Sequence, residues 1–254
     1  MDQYVAEFVG TGLLLLLGNG VVGNVVLERT KGHGAGWIVI TLGWGMAVFV
    51  AVFCVMDISG AHINPAVTIG LAAAGRFGWD QTAGYLVAQL LGGTVGATLV
   101  YLFYRDHYRV TSDPEAKLAT FCTAPSIRNL PLNLVSEVIG TFVLVFAVLM
   151  AAEPSLEFTP GAAGAGQLNS AKLGLGALGA LPVGLLVLAI GLSLGGTTGY
   201  AINPARDLGP RIAHALLPIP GKRDSDWSYA WVPVVGPIVG GVLAALVAGA
   251  MIGT

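Results

Sequence analysis

The chain has 254 residues, of which 55% are hydrophobic and 10% are charged, against about 25% charged residues in an average soluble domain. So few charged side chains could not cover a soluble globule, and so apolar a chain is not disordered. The net charge of −2 gives no field that attracts nucleic acid, and the two cysteines fit no disulfide framework or metal-ligand spacing. The composition, with 37 glycines, is typical of closely packed helices in lipid.

Six apolar stretches are long enough to cross the hydrocarbon core of a bilayer, which takes about 20 helical residues. They are predicted at 4–27, 36–57, 81–104, 132–152, 173–194 and 228–252. The first is not expected to be a cleavable signal peptide, because no basic segment precedes it and its apolar run is too long. The glycine-rich segment 161–166 is expected to be a flexible linker.

Two further apolar segments, 65–75 and 204–217, are too short to cross the membrane. The first would form about 16 Å of helix, roughly half of a hydrocarbon core of about 30 Å. Each begins with proline, which fits the first helical turn, and each follows an asparagine, Asn64 or Asn203, which is a preferred N-cap. They are predicted to be half-helices that start within the membrane, in a protein interior or beside a wet cavity.

The chain repeats itself. The segment 59–66 matches 198–205, and the segment 7–11 matches 137–141. Residues 1–104 and 131–254 are therefore predicted to be two copies of three spans plus one half-helix, joined by residues 105–130. Because three is odd, the second copy enters the membrane in the opposite orientation, and the half-helices of such an inverted repeat meet near the midplane.

The paired Asn-Pro-Ala boxes, the six spans and the glutamates in spans one and four resemble the aquaporin, or major intrinsic protein, family. The second box continues as Asn203-Pro-Ala-Arg-Asp-Leu-Gly-Pro210, and its aspartate is similar to the aquaglyceroporin, or glycerol-facilitator, branch. The resemblance implies an all-α membrane protein of the cell membrane, with six transmembrane helices and two re-entrant half-helices around a pore, in a homotetramer. It places both termini inside, whereas the positive-inside rule applied to the loops predicts the reverse.

The two box asparagines are predicted to form a central constriction. As N-caps, Asn64 and Asn203 would bind backbone N–H groups through their side-chain oxygens and turn their amide NH2 groups into the pore. The two half-helix N-termini would add roughly half a positive charge each, which repels protons and cations. Arg206 follows the second box where the first repeat has Val67, and a charge so deep in an apolar chain indicates a function. The alternative is a structural ion pair with Asp207.

The resemblance also implies a selectivity filter formed by Trp44, Gly191, Tyr200 and Arg206. The two aromatic rings would face the carbon chain of a polyol, Arg206 would donate to its hydroxyl groups from the opposite side, and Gly191 would leave space. Tyr200 departs from the phenylalanine that glycerol facilitators often have at this position. Its hydroxyl makes undissociated hydroxy acids such as lactic acid an alternative solute.

Four further residues are assigned to loop support by the resemblance: Glu7, Glu137, His62 and Asp207. Alternatively, the two glutamates reach the interface from helix ends, or they carry protons in a proton-coupled secondary transporter, and His62 is purely structural or donates at the inner pore mouth. No nucleophile–base pair, metal cluster or phosphate loop predicts an enzyme, a cofactor or a metal. The sequence therefore predicts a passive channel in membrane lipid for glycerol, other small polyols and water, without a nucleic-acid partner.

Overall fold

The computed structural model describes residues 2–151 and 175–253. The expected linker 161–166 and the ends of two predicted spans, at 152 and at 173–174, lie outside these ranges. Within them the chain is helical: α1 Gln3–Val26, α2 Trp37–Ser59, α3 Pro65–Ala73, α4 Trp79–Phe103, α5 Arg105–Val110, α6 Pro114–Ala119, α7 Leu130–Met150, α8 Leu181–Leu194, α9 Pro204–Leu216 and α10 Val232–Ile252. A 3₁₀ helix, Gly176–Ala180, leads directly into α8.

Six of these helices are long and apolar enough to cross a membrane, which confirms the predicted number of spans. They are α1, α2, α4, α7, α10 and the combined 3₁₀ helix and α8. The predicted start of the last span was too early, because residues 227–231 form turns and the helix begins at Val232 rather than at 228. The predicted start of the fifth span, at 173, lies outside the described residues. Within them this span begins with the 3₁₀ helix at Gly176 and continues as an α-helix from Leu181.

The half-helices α3 and α9 connect the two halves of the chain. Each of them packs against both α4 and α10, while α1 packs on α4 and α7 packs on α10. Glycines allow these helices to approach closely: a Cβ at Gly92 of α4 would lie 2.3 Å from the Phe8 carbonyl oxygen of α1, and one at Gly240 of α10 would lie 2.4 Å from that of Val138 in α7. The spans therefore form a close-packed frame that fixes where α3 and α9 begin.

The long connection between α4 and α7 folds over one end of the bundle and binds the loop before α10. Arg128 donates to both carboxylate oxygens of Asp226, at 2.8 and 2.9 Å. This guanidinium holds the pKa of Asp226 below its ordinary value. In the same loop, the Lys222 Nζ donates to the carbonyls of His214 and Leu217 and so caps the end of α9. The cations of these loops thus hold the end of the bundle together.

Candidate pore and selectivity filter

A cavity of about 510 Å³ lies between the two halves and is bordered by residues of both. Its lining combines aliphatic side chains with polar groups. The aliphatic part includes Leu14, Val48, Val52, Val67, Leu71, Leu144, Val148, Val183, Leu186 and Val187. The polar groups are supplied by Arg206 and by residues 60–64 and 200–203, which precede the two half-helices. The lining therefore offers both apolar contact and hydrogen bonds.

The two box asparagines cap their own helices and also bind the opposite half. The Asn64 Oδ1 accepts the backbone N–H of Ala66 at 2.9 Å, and Asn203 caps α9 in the same way. The Asn64 Nδ2 donates to the Ile202 carbonyl at 2.8 Å, and the Asn203 Nδ2 donates to the Ile63 carbonyl at 2.9 Å. Each amide nitrogen therefore uses one of its two hydrogens within the protein, where the sequence suggested that the whole NH2 group faces the pore.

The loops before the half-helices have the same unusual backbone in both halves. Ile63 and Ile202 both have a φ of 43°, and Ala61 and Tyr200 have φ values of 50° and 38°. A β-branched residue in this left-handed region is strained by about 1–3 kcal/mol, which persists only where the surroundings enforce it. Here the strain directs the carbonyls of Ile63 and Ile202 to the crossed asparagines.

Buried carboxylates bind the N–H groups of these strained loops. Glu7 accepts from the backbone N–H groups of His62 and Ile63, at 2.9 and 2.7 Å, and Glu137 accepts from those of Ala201 and Ile202, at 3.0 and 2.8 Å. Both glutamates are fully buried, so the alternative that they reach the interface is wrong.

Hydroxyl and amide side chains complete both carboxylate sites. Ser59 donates to Glu7 and Thr198 donates to Glu137, each at 2.7 Å. Glu7 also accepts from Gln89 of α4 at 2.7 Å. Sequence reasoning missed Gln89, although a lone amide within an apolar span was a visible signal. Neither carboxylate borders the cavity.

Arg206 stacks on Trp44 at the cavity. Its guanidinium carbon lies 4.1 Å from the centre of the Trp44 ring, a cation–π contact. The two side chains are therefore neighbours, and the expectation that Arg206 faces the aromatic rings from the opposite side is wrong for Trp44. The ion pair with Asp207 is also wrong, because Asp207 binds Arg211, with the Arg211 Nε 2.8 Å from its Oδ1. The Arg206 Nη1 is buried without a hydrogen-bond partner among the described residues.

Tyr200 occupies the space that Gly191 leaves. A Cβ at Gly191 would lie 2.8 Å from the Tyr200 Cζ and 2.9 Å from its hydroxyl oxygen. Gly191 does not border the cavity, and the space that its missing side chain leaves is filled by the Tyr200 ring. Trp37, which sequence reasoning missed, packs edge-on against Tyr200 at 5.8 Å and donates from its Nε1 to the Gly191 carbonyl at 3.0 Å.

His62 and Asp207 hold their surroundings in different ways. The His62 Nδ1 lies 3.1 Å from the Thr68 hydroxyl oxygen, and the ring packs 4.6 Å from Phe77 while also bordering the cavity. Asp207 accepts the backbone N–H and the hydroxyl of Thr123, at 2.8 and 2.7 Å, and so binds the connection between the halves. In the described part of the chain, no group of three His, Cys, Asp or Glu residues could hold a metal ion.

The family model described as "Major intrinsic protein" matches residues 1–248. The chain belongs to this family. A probable glycerol uptake facilitator protein of Thermotoga maritima is 58% identical over 96% of this chain and 97% of its own length. A D/L-lactic acid transporter of Lactiplantibacillus plantarum is 41% identical over 96% of this chain and 95% of its own length. The X-ray structure of the aquaglyceroporin from Plasmodium falciparum is similar, with a TM-score of 0.77 and 33% identity over 96% of this chain and 93% of that one.

These similarities confirm the expected family and fold class. This major intrinsic protein is an integral membrane protein with six spans, and its helical fold is similar to that of an aquaglyceroporin. Both compared sequences extend over nearly the whole chain, so the two half-helices and the cavity between them lie inside the matched region.

Proposed function

We propose that this protein is a passive channel through which glycerol and similar small uncharged solutes cross the membrane together with water. The observation that carries the proposal is the mixed lining of the cavity, which combines many aliphatic side chains with Asn64, Asn203 and Arg206. A polyol has the same two kinds of surface, since its carbon atoms need apolar contact and its hydroxyl groups need hydrogen bonds. The glycerol facilitators among its relatives support the same solute.

The selectivity filter is formed by Trp44, Tyr200 and Arg206, with Gly191 as the seat of the Tyr200 ring. The Arg206 guanidinium borders the cavity and donates to a solute hydroxyl, and the aromatic rings contact its carbon atoms. The positive charge of Arg206 and the N-termini of α3 and α9, capped by Asn64 and Asn203, exclude cations and protons.

Undissociated lactic acid is the second candidate solute. Tyr200 borders the cavity with a ring that carries a hydroxyl where a phenylalanine has none, although the hydroxyl oxygen itself is buried. The lactic acid transporter among the relatives supports this solute. The proton-coupled transporter has no comparable support, because Glu7 and Glu137 accept four and three hydrogen bonds from neighbouring groups and lie away from the cavity.

Swelling of proteoliposomes followed by stopped-flow light scattering tests these assignments. Vesicles with the purified protein should take up glycerol faster than protein-free vesicles. The rate of lactic acid entry above that of protein-free vesicles should be larger at pH 3 than at pH 7 if the neutral acid is a substrate. A proton gradient should not drive glycerol uphill. Glycerol uptake no faster than in protein-free vesicles would refute the channel, and uphill accumulation would favour the transporter.

We further infer that residues 1–104 and 131–254 are inverted repeats joined by residues 105–130, which the matching contacts of Asn64 and Asn203 support. Membership of the family supports a homotetramer in lipid, and a cavity that one chain forms alone supports one pore in each subunit. It catalyses no reaction, and the polar groups at the cavity bind and orient solutes. Native mass spectrometry from detergent should show four chains, and a monomer would contradict the assembly.

A further inference from the structure

Two arginines on the half-helix α9 have opposite surroundings. Arg211 is fully buried, and all three of its guanidinium nitrogens donate hydrogen bonds. Its Nε and Nη2 bind both carboxylate oxygens of Asp207, at 2.8 and 3.1 Å, and its Nη1 and Nη2 bind the carbonyls of Ser225 and Thr123, at 2.7 and 3.0 Å. Arg206 leaves its Nη1 without any partner among the described residues. One arginine is saturated and the other is free.

Asp207 stands directly beside the free arginine in the chain, yet it binds the saturated one. Its carboxylate accepts two bonds from Arg211 and two from Thr123, at 2.7 and 2.8 Å from the latter. Its Oδ2 accepts three of these bonds and its Oδ1 accepts one, so most of the acceptor capacity of the carboxylate is used. In the described ranges, no carboxylate oxygen lies within salt-bridge distance of the Arg206 guanidinium.

We propose that Arg211 is a positioning residue that sets the selectivity of the channel by binding Asp207 and thereby keeping Arg206 unpaired. Attraction between opposite charges is strong at a buried site, so a carboxylate without Arg211 would pair with the adjacent guanidinium. Such a pair would neutralise the positive charge at the filter and use its donors. Both the barrier to protons and the hydrogen bond to the solute depend on that charge and those donors. The inference rests on the proposed function.

The first half of the chain contains a neutral counterpart of this arrangement. By the repeat, Val67 and Thr68 stand where Arg206 and Asp207 stand in the second half. Thr68 binds His62 and Gln89 through its hydroxyl, so no charge needs to be held away from the pore there. The second half has both a cation at the filter, Arg206, and a carboxylate directly beside it, Asp207. Arg211 keeps these two groups from pairing.

The test compares four variants for proton leak and glycerol flux in the same proteoliposomes. Arg211→Gln frees the Asp207 carboxylate, and we expect proton leak, measured with an enclosed pH-sensitive dye, to rise at least about 10-fold. Arg211→Lys keeps a cation beside Asp207 and should stay as tight as the wild type. Asp207→Asn and the double variant Asp207→Asn/Arg211→Gln contain no competing carboxylate, so both should also stay tight.

The proton leaks of the four variants distinguish the proposed role of Arg211, which is to keep Asp207 away from Arg206, from a purely structural role in holding the loops. A purely structural role predicts that Asp207→Asn and the double variant leak as much as Arg211→Gln, and that result would overturn the proposal, as would a tight Arg211→Gln channel. If Arg211→Gln does not assemble in the membrane, the double variant is compared with it. Assembly of the double variant would show that the unpaired Asp207 carboxylate caused the defect and would support the proposal. Failure of the double variant to assemble would overturn the proposal. Glycerol flux through the wild type tests the proposed function separately, because a wild type that excludes glycerol refutes that function whatever the leaks show.

Discussion

Replacing Gly191 by alanine is expected to narrow the filter, although Gly191 does not border the passage. The added Cβ would lie 2.8 Å from the Tyr200 Cζ and 3.0 Å from the Thr41 Cγ2. Carbon atoms prefer a separation of at least about 3.5 Å, so the ring must move by about 0.7 Å. Gly195 and Trp37 already pack against other sides of the ring. The Tyr200 Cδ1 lies only 2.4 Å from the position that a Gly195 Cβ would occupy, and the Trp37 ring packs edge-on against Tyr200. The free direction is into the passage.

The displaced ring should affect glycerol more than water, because the carbon chain of glycerol is wider than a water molecule. When glycerol passes, it must push the Tyr200 ring back against the added methyl group. That overlap costs about 1–3 kcal/mol, the range for an overpacked methyl group. Glycerol flux should therefore fall about 5- to 150-fold. Water flux should fall much less. Gly191→His adds more atoms at the same point and should suppress glycerol further.

Stopped-flow measurement of both solutes on the same vesicles gives the glycerol-to-water ratio independently of the amount of protein. Gly196→Ala is the matched control, because a Cβ there would meet no atom within 4 Å. The control should keep the wild-type ratio. If Gly191→Ala also kept that ratio, or lost glycerol and water flux by the same factor, Tyr200 would not be the wall that the added methyl group displaces.

Three further outcomes are expected. Arg206→Val removes the filter charge and should raise proton leak, seen with an enclosed pH dye; an unchanged leak would place the barrier elsewhere. Glu7→Gln places an amide NH2 group against backbone N–H groups that need an acceptor. Each N–H left without an acceptor should lower the free energy of unfolding by about 1–3 kcal/mol. The melting temperature in detergent should therefore fall, and an unchanged melting temperature would contradict the role of Glu7 in holding the loop. Because Arg128 lowers the pKa of Asp226 from 3.8, the stability that this pair adds is present at neutral pH and lost as pH falls below that value. Asp226→Asn should therefore show a smaller loss of stability below pH 3.8 than the wild type, and an equal loss would remove the pair as its source.

The starts of the half-helices could be predicted from the sequence, because an N-cap depends only on residues next to each other in the chain. An asparagine followed by proline determined the start of α3 at Pro65 and of α9 at Pro204, and both starts are confirmed. Their ends at Ala73 and Leu216 lie one or two residues earlier than expected. The partner of Asp207 was also readable, since Arg211 follows at the i+4 spacing of a helical ion pair.

Contacts between distant segments could not be predicted from the sequence in the same way. The orientation of Tyr200 depends on Gly191, Gly195 and Trp37, which lie on other segments, so a position counted from a motif gave the residue but not the side on which its ring lies. Trp37 precedes Trp44 by seven residues, two helical turns on the same face, and that spacing was the available signal. Thr123 has no local feature that points to Asp207.

The contacts of Asn64 and Asn203 with the opposite half also determine when the cavity can form during synthesis of the chain. Asn64 has to wait for a carbonyl 138 residues further along the chain, at Ile202. Until the ribosome has supplied that second half, Val183 and Leu186 are missing from the wall as well. The first half alone therefore lacks the partners that hold its loop, and the cavity is complete only when both halves of the chain are present.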